Sequence, residues 1–378
     1  MKKVGIMSMQ RIANYGSFLQ AYALRKLLEK EGCSVEFVDY HVDKPVIVND
    51  ERNQFVRKFN KVIEVIELRA SLGQKVSYLK HKQSFFKKYL PLLGVSELMN
   101  YNPPLDCLIV GSDEVFNCIQ KNPNVGYSLE LFGKDNNAKR LISYAASFGN
   151  TTLDKLQAYA KDREISTYLK RFDAISVRDS NSGEIVKKLT GKEPIYNLDP
   201  VLTYDYMNEC DEVPQFSIEE KYLILYAYPG RISDEEAKWI SIYAKEKGLK
   251  IYTIGGIQKY ADRFIDCSPF EVLAYFKNAS EVITDTFHGS IFSIITHRPF
   301  VTLVRQSIGT SYGNEEKLMD LLRRLQLESQ ATYDIKESRK ILNTTIDYYK
   351  TDELITNYRD VAVSYLKNNL NTIKKENR

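Results

Sequence analysis

The stretch "TDTFHGS" at residues 284–290 combines residue types that can do chemistry. It follows an apolar run and leads into a helix-like run, so we expect His288 at a strand-to-helix junction, with Gly289 and Ser290 in the first helical turn. The N–H groups of such a turn attract anions, and an imidazole exchanges protons near neutral pH. Asp285 either orients the imidazole, caps the helix, or does both. The pattern indicates acid–base chemistry on an anion; the alternative is a hydrogen-bonded structural histidine.

A helix terminus alone contributes only about 0.3–1 kcal/mol to anion binding, so a cationic partner is required. The best candidate is Arg178, which ends the apolar run "AISVR". A two-pronged contact from an arginine to a phosphate or carboxylate contributes roughly 1.5–3 kcal/mol. The sequence therefore predicts that Arg178 binds an anionic ligand. The alternative is an ion pair with Asp179 or another acid that serves the fold.

Two further loops follow apolar runs and carry small or polar residues. They are "NYGS", with Asn14, Tyr15 and Gly16, and "GSDEVFN", with Asp113. Ligands of doubly wound sheets bind beyond the carboxyl ends of the strands, so these loops are expected to line the same cleft. Asp113 is as suited to holding its loop as to touching a substrate. The glycine patterns typical of dinucleotide and P-loop sites are absent from the sequence.

The composition excludes several classes of protein. The net charge of +4 over 378 residues is too small to indicate a nucleic-acid partner. The five cysteines are scattered without C-x-x-C spacing, which argues against a disulfide framework and a zinc site, and favours a reducing, cytoplasmic setting. The N-terminal apolar run is too short for a signal peptide or a membrane span.

Strand-like and helix-like runs alternate along the chain, which predicts an α/β fold with parallel sheets. A chain of this length suggests two domains. We expect an N-terminal Rossmann-like domain over residues 1–205 with a helical insertion at about 43–104. A C-terminal Rossmann-like domain then spans residues 206–350, and a helix over 351–378 is expected to cross back to the first domain.

The predicted insertion is basic and helix-prone, and its segment "KHKQSFFKKYL" alternates lysines with aromatic residues over Lys80–Leu90. This segment either contacts an anionic partner at the inner face of a membrane, such as a lipid-linked pyrophosphate, or is a solvated helix face.

Six stretches, in order, resemble the polysaccharide pyruvyl transferase family: "NYGSFLQAYAL", "LIVGSDEVFN", "ISYAASFG", "AISVRD", "LDPVLT" and "VITDTFHGSIFSIITHRPFV". The resemblance implies the two-domain GT-B architecture, with a cleft between the domains. It also implies transfer of a pyruvyl group from phosphoenolpyruvate to a sugar, which forms a pyruvate ketal without a metal or other cofactor. His288 then matches the active-site histidine of the family, and Arg178 a basic residue that grips the donor.

The sequence departs from the family pattern at two positions. Thr286 stands where some members have an arginine, so a second phosphate ligand must be sought in Arg305 or Arg298. Phe116 replaces a frequent tryptophan and keeps an aromatic face at the cleft.

Two other functions stay open at this stage. One is a sugar-nucleotide glycosyltransferase on the same architecture, because a fold does not fix a function. The other is a non-catalytic protein that binds sugars in cell-envelope synthesis.

Overall fold

The computed structural model describes residues 1–47, 71–120, 122–306, 313 and 315–373. Residues 48–70, which belong to the predicted insertion, lie outside the described part. By its internal contacts the chain divides into two compact units. As far as these ranges are described, the first comprises Met1–Val48, Leu90–Asp205 and Asp352–Arg378, and the second comprises Asn49–Tyr89 and Tyr206–Thr351.

The elements follow one another as strands and helices in alternation. The strands are β1 (Lys2–Met7), β2 (Cys33–Phe37), β3 (Cys107–Asp113), β4 (Leu141–Ala146), β5 (Ser176–Val177), β6 (Ile195–Tyr196), β7 (Tyr222–Tyr226), β8 (Lys250–Ile254), β9 (Arg263–Ile265), β10 (Glu281–Thr284), β11 (Phe300–Leu303) and β12 (Ala331–Thr332). The α-helices are α1 (Tyr15–Lys30), α2 (Leu72–Tyr89), α3 (Leu153–Ala158), α4 (Asp162–Leu169), α5 (Ser180–Thr190), α6 (Pro200–Thr203), α7 (Tyr206–Glu209), α8 (Asp234–Lys247), α9 (Pro269–Asn278), α10 (Phe287–Ile295), α11 (Glu315–Arg324), α12 (Ser338–Leu342) and α13 (Tyr348–Asn371).

The first unit contains a parallel sheet of order β2-β1-β3-β4-β5-β6. The inner strands β3 and β4 are buried almost throughout, as expected for strands covered on both faces. Asn14 begins α1 by accepting hydrogen bonds from two backbone N–H groups of its first turn. The order of the strands reverses between β1 and β3, so the loops after these strands face the place where such sheets bind ligands.

The end of the chain belongs to the first unit from Asp352 onward. There Tyr365 is buried in α13, and its hydroxyl donates a hydrogen bond to the Ser143 carbonyl of β4 at 2.8 Å. Arg359 donates another to the Thr203 carbonyl at 2.7 Å. The terminal helix thus covers one face of the first sheet.

The second unit contains a parallel sheet of order β12-β11-β10-β7-β8-β9. With β7 counted as strand 1 and the sheet read from β9 to β12, this is the 3-2-1-4-5-6 order of Rossmann domains. Such sheets bind ligands where strands 1 and 4 meet, which here are β7 and β10. Helices α8 and α9 both begin with a capping box, at Ser233 and Ser268, which fixes where each helix leaves its loop. The prediction of an α/β fold with two Rossmann-like domains is confirmed.

Helix α2 corrects one expectation. The sequence assigned the helical insertion to the first domain, whereas α2 packs in the second unit. Its His81 ring lies 2.5 Å from the Asp266 carboxylate, and its Tyr89 hydroxyl donates to the Cys267 carbonyl at 3.2 Å. These partners are 185 and 178 residues away along the chain, and no local pattern connects them to the insertion. Among the described helices, none is long and apolar enough to span a membrane.

Gly289 is required where β10 meets α10. A Cβ atom at this position would overlap Thr284 Oγ1 and lie 2.7 Å from Thr286 Oγ1. Neither hydroxyl can readily move, because Thr284 Oγ1 donates to the Tyr226 carbonyl at 2.6 Å and also contacts Thr286 Oγ1 at 3.0 Å. The glycine therefore allows the first turn of α10 to pack against the end of β10.

We expect Gly289→Ala to lower the stability of the protein by about 1–3 kcal/mol, the usual cost of forcing an extra carbon into a packed site. The matched control is Gly73→Ala in α2, where a Cβ would meet nothing within 4 Å. Alanine there should be neutral or stabilising by up to about 1 kcal/mol, because it is the better helix former. Thermal unfolding midpoints measure both. Equal midpoints for the two variants would contradict the packing argument.

Candidate functional site

Three loops at the carboxyl ends of adjacent strands form the candidate site of the second unit. Arg231 lies in the loop after β7, Asp285 follows β10 directly, and Arg305 follows β11. Strand β10 pairs with both β7 and β11, so the three loops leave the same edge of the sheet side by side. Residues 74 positions apart in sequence are brought together in this way.

Asp285 is the centre of this group. Its side chain has no exposed surface, and its Oδ2 atom lies 3.9 Å from Arg231 Nη1 and 3.9 Å from Arg305 Nε. Burial raises the pKa of Asp285 to about 6, while the two guanidinium groups act in the opposite direction. The desolvation of the carboxylate is thus only partly offset by its two cationic neighbours.

Glu236 holds Arg305 in place from the side opposite Asp285. Its Oε1 atom accepts a hydrogen bond from Arg305 Nη1 at 2.7 Å, and its Oε2 atom accepts one from the Ser233 backbone at 2.8 Å. Burial alone would raise the pKa of Glu236, but the bonds from Arg305 and Ser233 outweigh it and lower the pKa. Arg305 is therefore held by an ionised carboxylate in the first turn of α8.

The two guanidinium groups are only partly covered. The side chains of Arg231 and Arg305 are 27% and 24% exposed, whereas the Asp285 side chain between them is fully buried. Arg231 also lies over the Tyr228 ring at 4.6 Å, which orients its planar group. A ligand from solvent can therefore contact the arginines, but not the carboxylate that holds them.

His288 is half-buried in the first turn of α10. Its ring stands perpendicular to the Phe287 ring at 5.5 Å and lies 6.0 Å from the Phe292 ring. The structure corrects the expected cap: Thr286, rather than Asp285, begins the helix by accepting a hydrogen bond from the Gly289 N–H at 2.9 Å. Asp285 lies directly before this cap and close to the two arginines, and its orientation of the imidazole stays a prediction.

Gly289 and Ser290, which the sequence predicted to bind the donor, serve the packing of the junction. The Gly289 N–H is taken by the helix cap. Ser290 is buried, and its hydroxyl contacts the Thr286 carbonyl at 3.1 Å and the Thr302 hydroxyl at 2.8 Å. The side chain of Ser290 is thus directed into the protein and away from any ligand.

Arg178, in the first unit, also differs from the expectation. Its side chain is 3% exposed, with Nη1 2.8 Å from Asp199 Oδ2 and Nη2 3.7 Å from Asp113 Oδ1. Burial lowers the pKa of Arg178, but the surrounding carboxylates more than offset this effect and raise it. Asp179 is not the partner, because its carboxylate caps α5 and accepts from Ser147. The alternative of a structural ion pair describes Arg178 better than a donor ligand does.

The other predicted cleft residues of the first unit divide into two groups. Asn14 and Asp113 lie at the carboxyl edge of the sheet, where Asn14 caps α1 and Asp113 accepts a hydrogen bond from Ser17 Oγ at 2.8 Å. Gly16 is buried in the first turn of α1, and Tyr15 is 2% exposed. Both therefore belong to the packing of that helix.

Phe116 is a clear correction. It is fully buried and stacks on Phe132 with 4.9 Å between ring centroids, in a cluster that includes Phe148 and Phe172. Its aromatic face belongs to the core and cannot line a cleft. The position of the loop after β3 was predictable, but the direction of this side chain was not.

Arg231 and Glu236 were missed by the sequence reasoning. Arg231 comes three residues after the apolar run "YLILYAY", so the same rule of searching after strands identifies it. Glu236 carries the signal of a capping box with Ser233, but nothing in the sequence connects it with Arg305. Within the described residues, no three His, Cys, Asp or Glu side chains are grouped so as to hold a metal ion.

Comparison with known proteins agrees with this arrangement of elements. The chain is 22% identical over 333 residues to general stress protein 30 of Bacillus subtilis (strain 168), which covers 82% of this chain and 90% of that protein. In fold it is similar to the S. aureus MnaA–UDP co-structure, with a TM-score of 0.50 and 10% identity over 100% of this chain and 99% of the other. The polysaccharide pyruvyl transferase family matches residues 14–307, from the cap of α1 to beyond Arg305. The predicted resemblance is confirmed: the chain belongs to the polysaccharide pyruvyl transferase family.

Proposed function

We propose that this protein transfers a pyruvyl group from phosphoenolpyruvate to a sugar of a cell-surface polysaccharide or its lipid-linked precursor, forming a pyruvate ketal. One observation carries the proposal: two partly exposed arginines, Arg231 and Arg305, flank a buried carboxylate at the switch point of a Rossmann sheet. The half-buried His288 lies in the first turn of α10, the helix that follows β10.

The arginines suit the donor because phosphoenolpyruvate carries two anionic groups, a phosphate and a carboxylate. Each planar guanidinium can form paired hydrogen bonds with such a group, worth roughly 1.5–3 kcal/mol. As phosphate leaves, its charge increases, and cations already held in place stabilise that charge without further rearrangement. Arg231 and Arg305 take the role that the family resemblance assigned to Arg178.

His288 is the proposed proton carrier. A proton is added to the methylene carbon of phosphoenolpyruvate, which becomes a methyl group, and one sugar hydroxyl forms a bond to the adjacent carbon. The bond from that carbon to the phosphate oxygen then breaks, and a second hydroxyl forms the other C–O bond of the ketal. The proton of one hydroxyl returns to the imidazole and replaces the proton that it gave to the methylene carbon. The proton of the other hydroxyl leaves with phosphate. A positioned imidazole contributes about 10²–10⁴ to such proton transfers.

Asp285 acts as a positioning residue in this scheme. Its side chain is fully buried, so it does not touch the substrate, and it orients both arginines through one oxygen atom. When Asp285 and Glu236 are both ionised, they balance the charges of the two arginines.

Asp113, whose side chain is 15% exposed at the end of β3, stays a predicted sugar contact of the first unit. A partly exposed carboxylate can accept a hydrogen bond from a sugar hydroxyl. The S. aureus protein of similar fold was solved with UDP, so a sugar-nucleotide glycosyltransferase is the second candidate. A non-catalytic sugar-binding protein is the third.

The central experiment mixes the protein with phosphoenolpyruvate and a panel of synthetic or lipid-linked glycosides. We expect release of phosphate only with a suitable sugar diol, together with a glycoside whose mass has increased by one ketal-linked pyruvate. His288→Gln keeps a polar side chain of similar reach but cannot carry the proton, so turnover should fall by at least about 10²-fold while donor binding is retained.

The matched control is His297→Gln, since His297 stacks on Tyr348 after the end of α10 and lies outside the candidate site. Its turnover should equal that of the unmodified protein. Transfer from a nucleotide sugar in place of phosphoenolpyruvate would support the glycosyltransferase, and glycoside binding without phosphate release would support the non-catalytic protein. Near-normal turnover of His288→Gln would remove the proton role.

Replacement of Asp285 by Asn should stabilise the protein at neutral pH. The folded pKa of about 6 is above the ordinary 3.8, so the protonated form is favoured by folding. That stabilisation is complete below about pH 3.8 and is lost as the pH rises through 6. Asn cannot ionise, and at pH 7.5 the variant should be more stable by on the order of 3 kcal/mol, with the difference shrinking toward pH 4.

Thermal midpoints at several pH values measure this effect, with the exposed Asp211→Asn as control. The same Asp285 variant should show a raised KM for phosphoenolpyruvate with a smaller change in kcat, because the arginines lose the group that positions them. A stability difference that does not vary with pH would show that burial does not shift this carboxyl. An unchanged KM would mean that Asp285 positions nothing the donor needs.

A further inference from the structure

Helix α2 carries apolar side chains on two opposite faces. One face is buried in the second unit and consists of Tyr78, His81, Phe85 and Tyr89. The other face consists of Leu72, Val76, Leu79 and Phe86, whose exposed fractions are between 42% and 81%. At 100° per residue these four lie within a stripe about 80° wide, on the side of the helix away from the core.

The lysines of the helix flank this exposed stripe. Lys80 and Lys87 follow it on one side, and Lys75 and Lys82 on the other, while Lys88 lies beyond them. The sequence of α2 contains five lysines and no Asp or Glu. An apolar stripe between two rows of lysines is typical of helices that lie in the surface of a membrane, where lysines reach the head groups and apolar side chains enter the layer below.

We propose that this face of α2 rests on a membrane surface that contains anionic lipid. The charge of the helix selects this occupant. A second copy of the chain would bring five positive charges against five others, whereas anionic head groups attract them. The proposal goes beyond transfer of a pyruvyl group and does not depend on it.

The packing of α2 presents the stripe in a fixed direction. Inside the second unit, His81 contacts Asp266 and the Phe264 ring, and the Tyr78 ring meets Phe264 edge to face at 5.6 Å. The Tyr89 hydroxyl donates to the Cys267 carbonyl. Because these contacts occupy the opposite face, the stripe is available without any rearrangement of the helix. A surface that is already ordered binds without the entropic cost of folding.

The test is sedimentation of the full chain with vesicles of phosphatidylcholine alone or with added phosphatidylglycerol. We expect binding to the anionic vesicles only. Lys75→Gln, Lys80→Gln and Lys87→Gln together should weaken it on the order of 100-fold, because each lysine near an anionic surface contributes roughly a factor of five. The matched control neutralises three exposed lysines of the first unit, Lys170, Lys188 and Lys192, and should bind as the unmodified protein does.

A second variant, Leu79→Ser with Phe86→Ser, separates the apolar contact from the charge. It should bind the anionic vesicles at least about 10-fold more weakly, with its thermal midpoint unchanged because both side chains are exposed.

No vesicle binding, equal binding to neutral vesicles, or equal losses in the two lysine triples would overturn the proposal. So would a lipid-free dimer that the Leu79 and Phe86 changes dissociate, since a second copy would then cover the stripe. If a variant unfolds, the unmodified protein is tested at high salt instead. Vesicle binding that persists in about 0.5 M salt would exclude attraction to the anionic head groups.

Discussion

The burial of one carboxylate, that of Asp285, is the constraint on which the candidate site depends. A charge removed from water is costly unless partners surround it, and here two guanidinium groups approach the same oxygen atom from adjacent loops. Glu236 in turn holds one of these arginines. The resulting group keeps two cations in fixed positions at the edge of the sheet, partly open to solvent. Burial of this carboxylate lowers the stability of the protein, but the arginines it holds can bind an anion without rearrangement.

The parallel sheet makes this arrangement possible. Where β7 and β10 lie side by side, two loops separated by more than fifty residues leave the sheet together. The tight packing at Gly289 then brings α10 onto the end of β10 and places His288 in the first turn of that helix. The same architecture in the first unit yields a different result. There, Arg178 is enclosed by Asp199 and Asp113, and these carboxylates neutralise its charge inside the protein.

Much of this could be predicted from the sequence, because alternating apolar runs determine a parallel α/β fold and the loops after them carry the chemistry. That rule located Asp285 and His288, whereas Arg305 entered, with Arg298, only as a substitute for the arginine that some family members have in place of Thr286. It could not separate Arg178 from Arg231, since both follow a buried strand and differ only in how many carboxylates fold around them. The burial of Phe116 and the attachment of α2 to the second unit depend on distant partners, Phe132 and Asp266, which no local pattern reveals.

The most direct measurement of the central claim is the affinity for phosphoenolpyruvate, by calorimetry, of Arg231→Gln against Arg263→Gln. Arg263 lies in the same unit, has a 61% exposed side chain and is paired with Glu220 away from the site. If the arginines around Asp285 hold the donor, the Arg231 variant should bind roughly 10- to 100-fold more weakly and the Arg263 variant normally. Equal affinities for both variants and the unmodified protein would contradict the account.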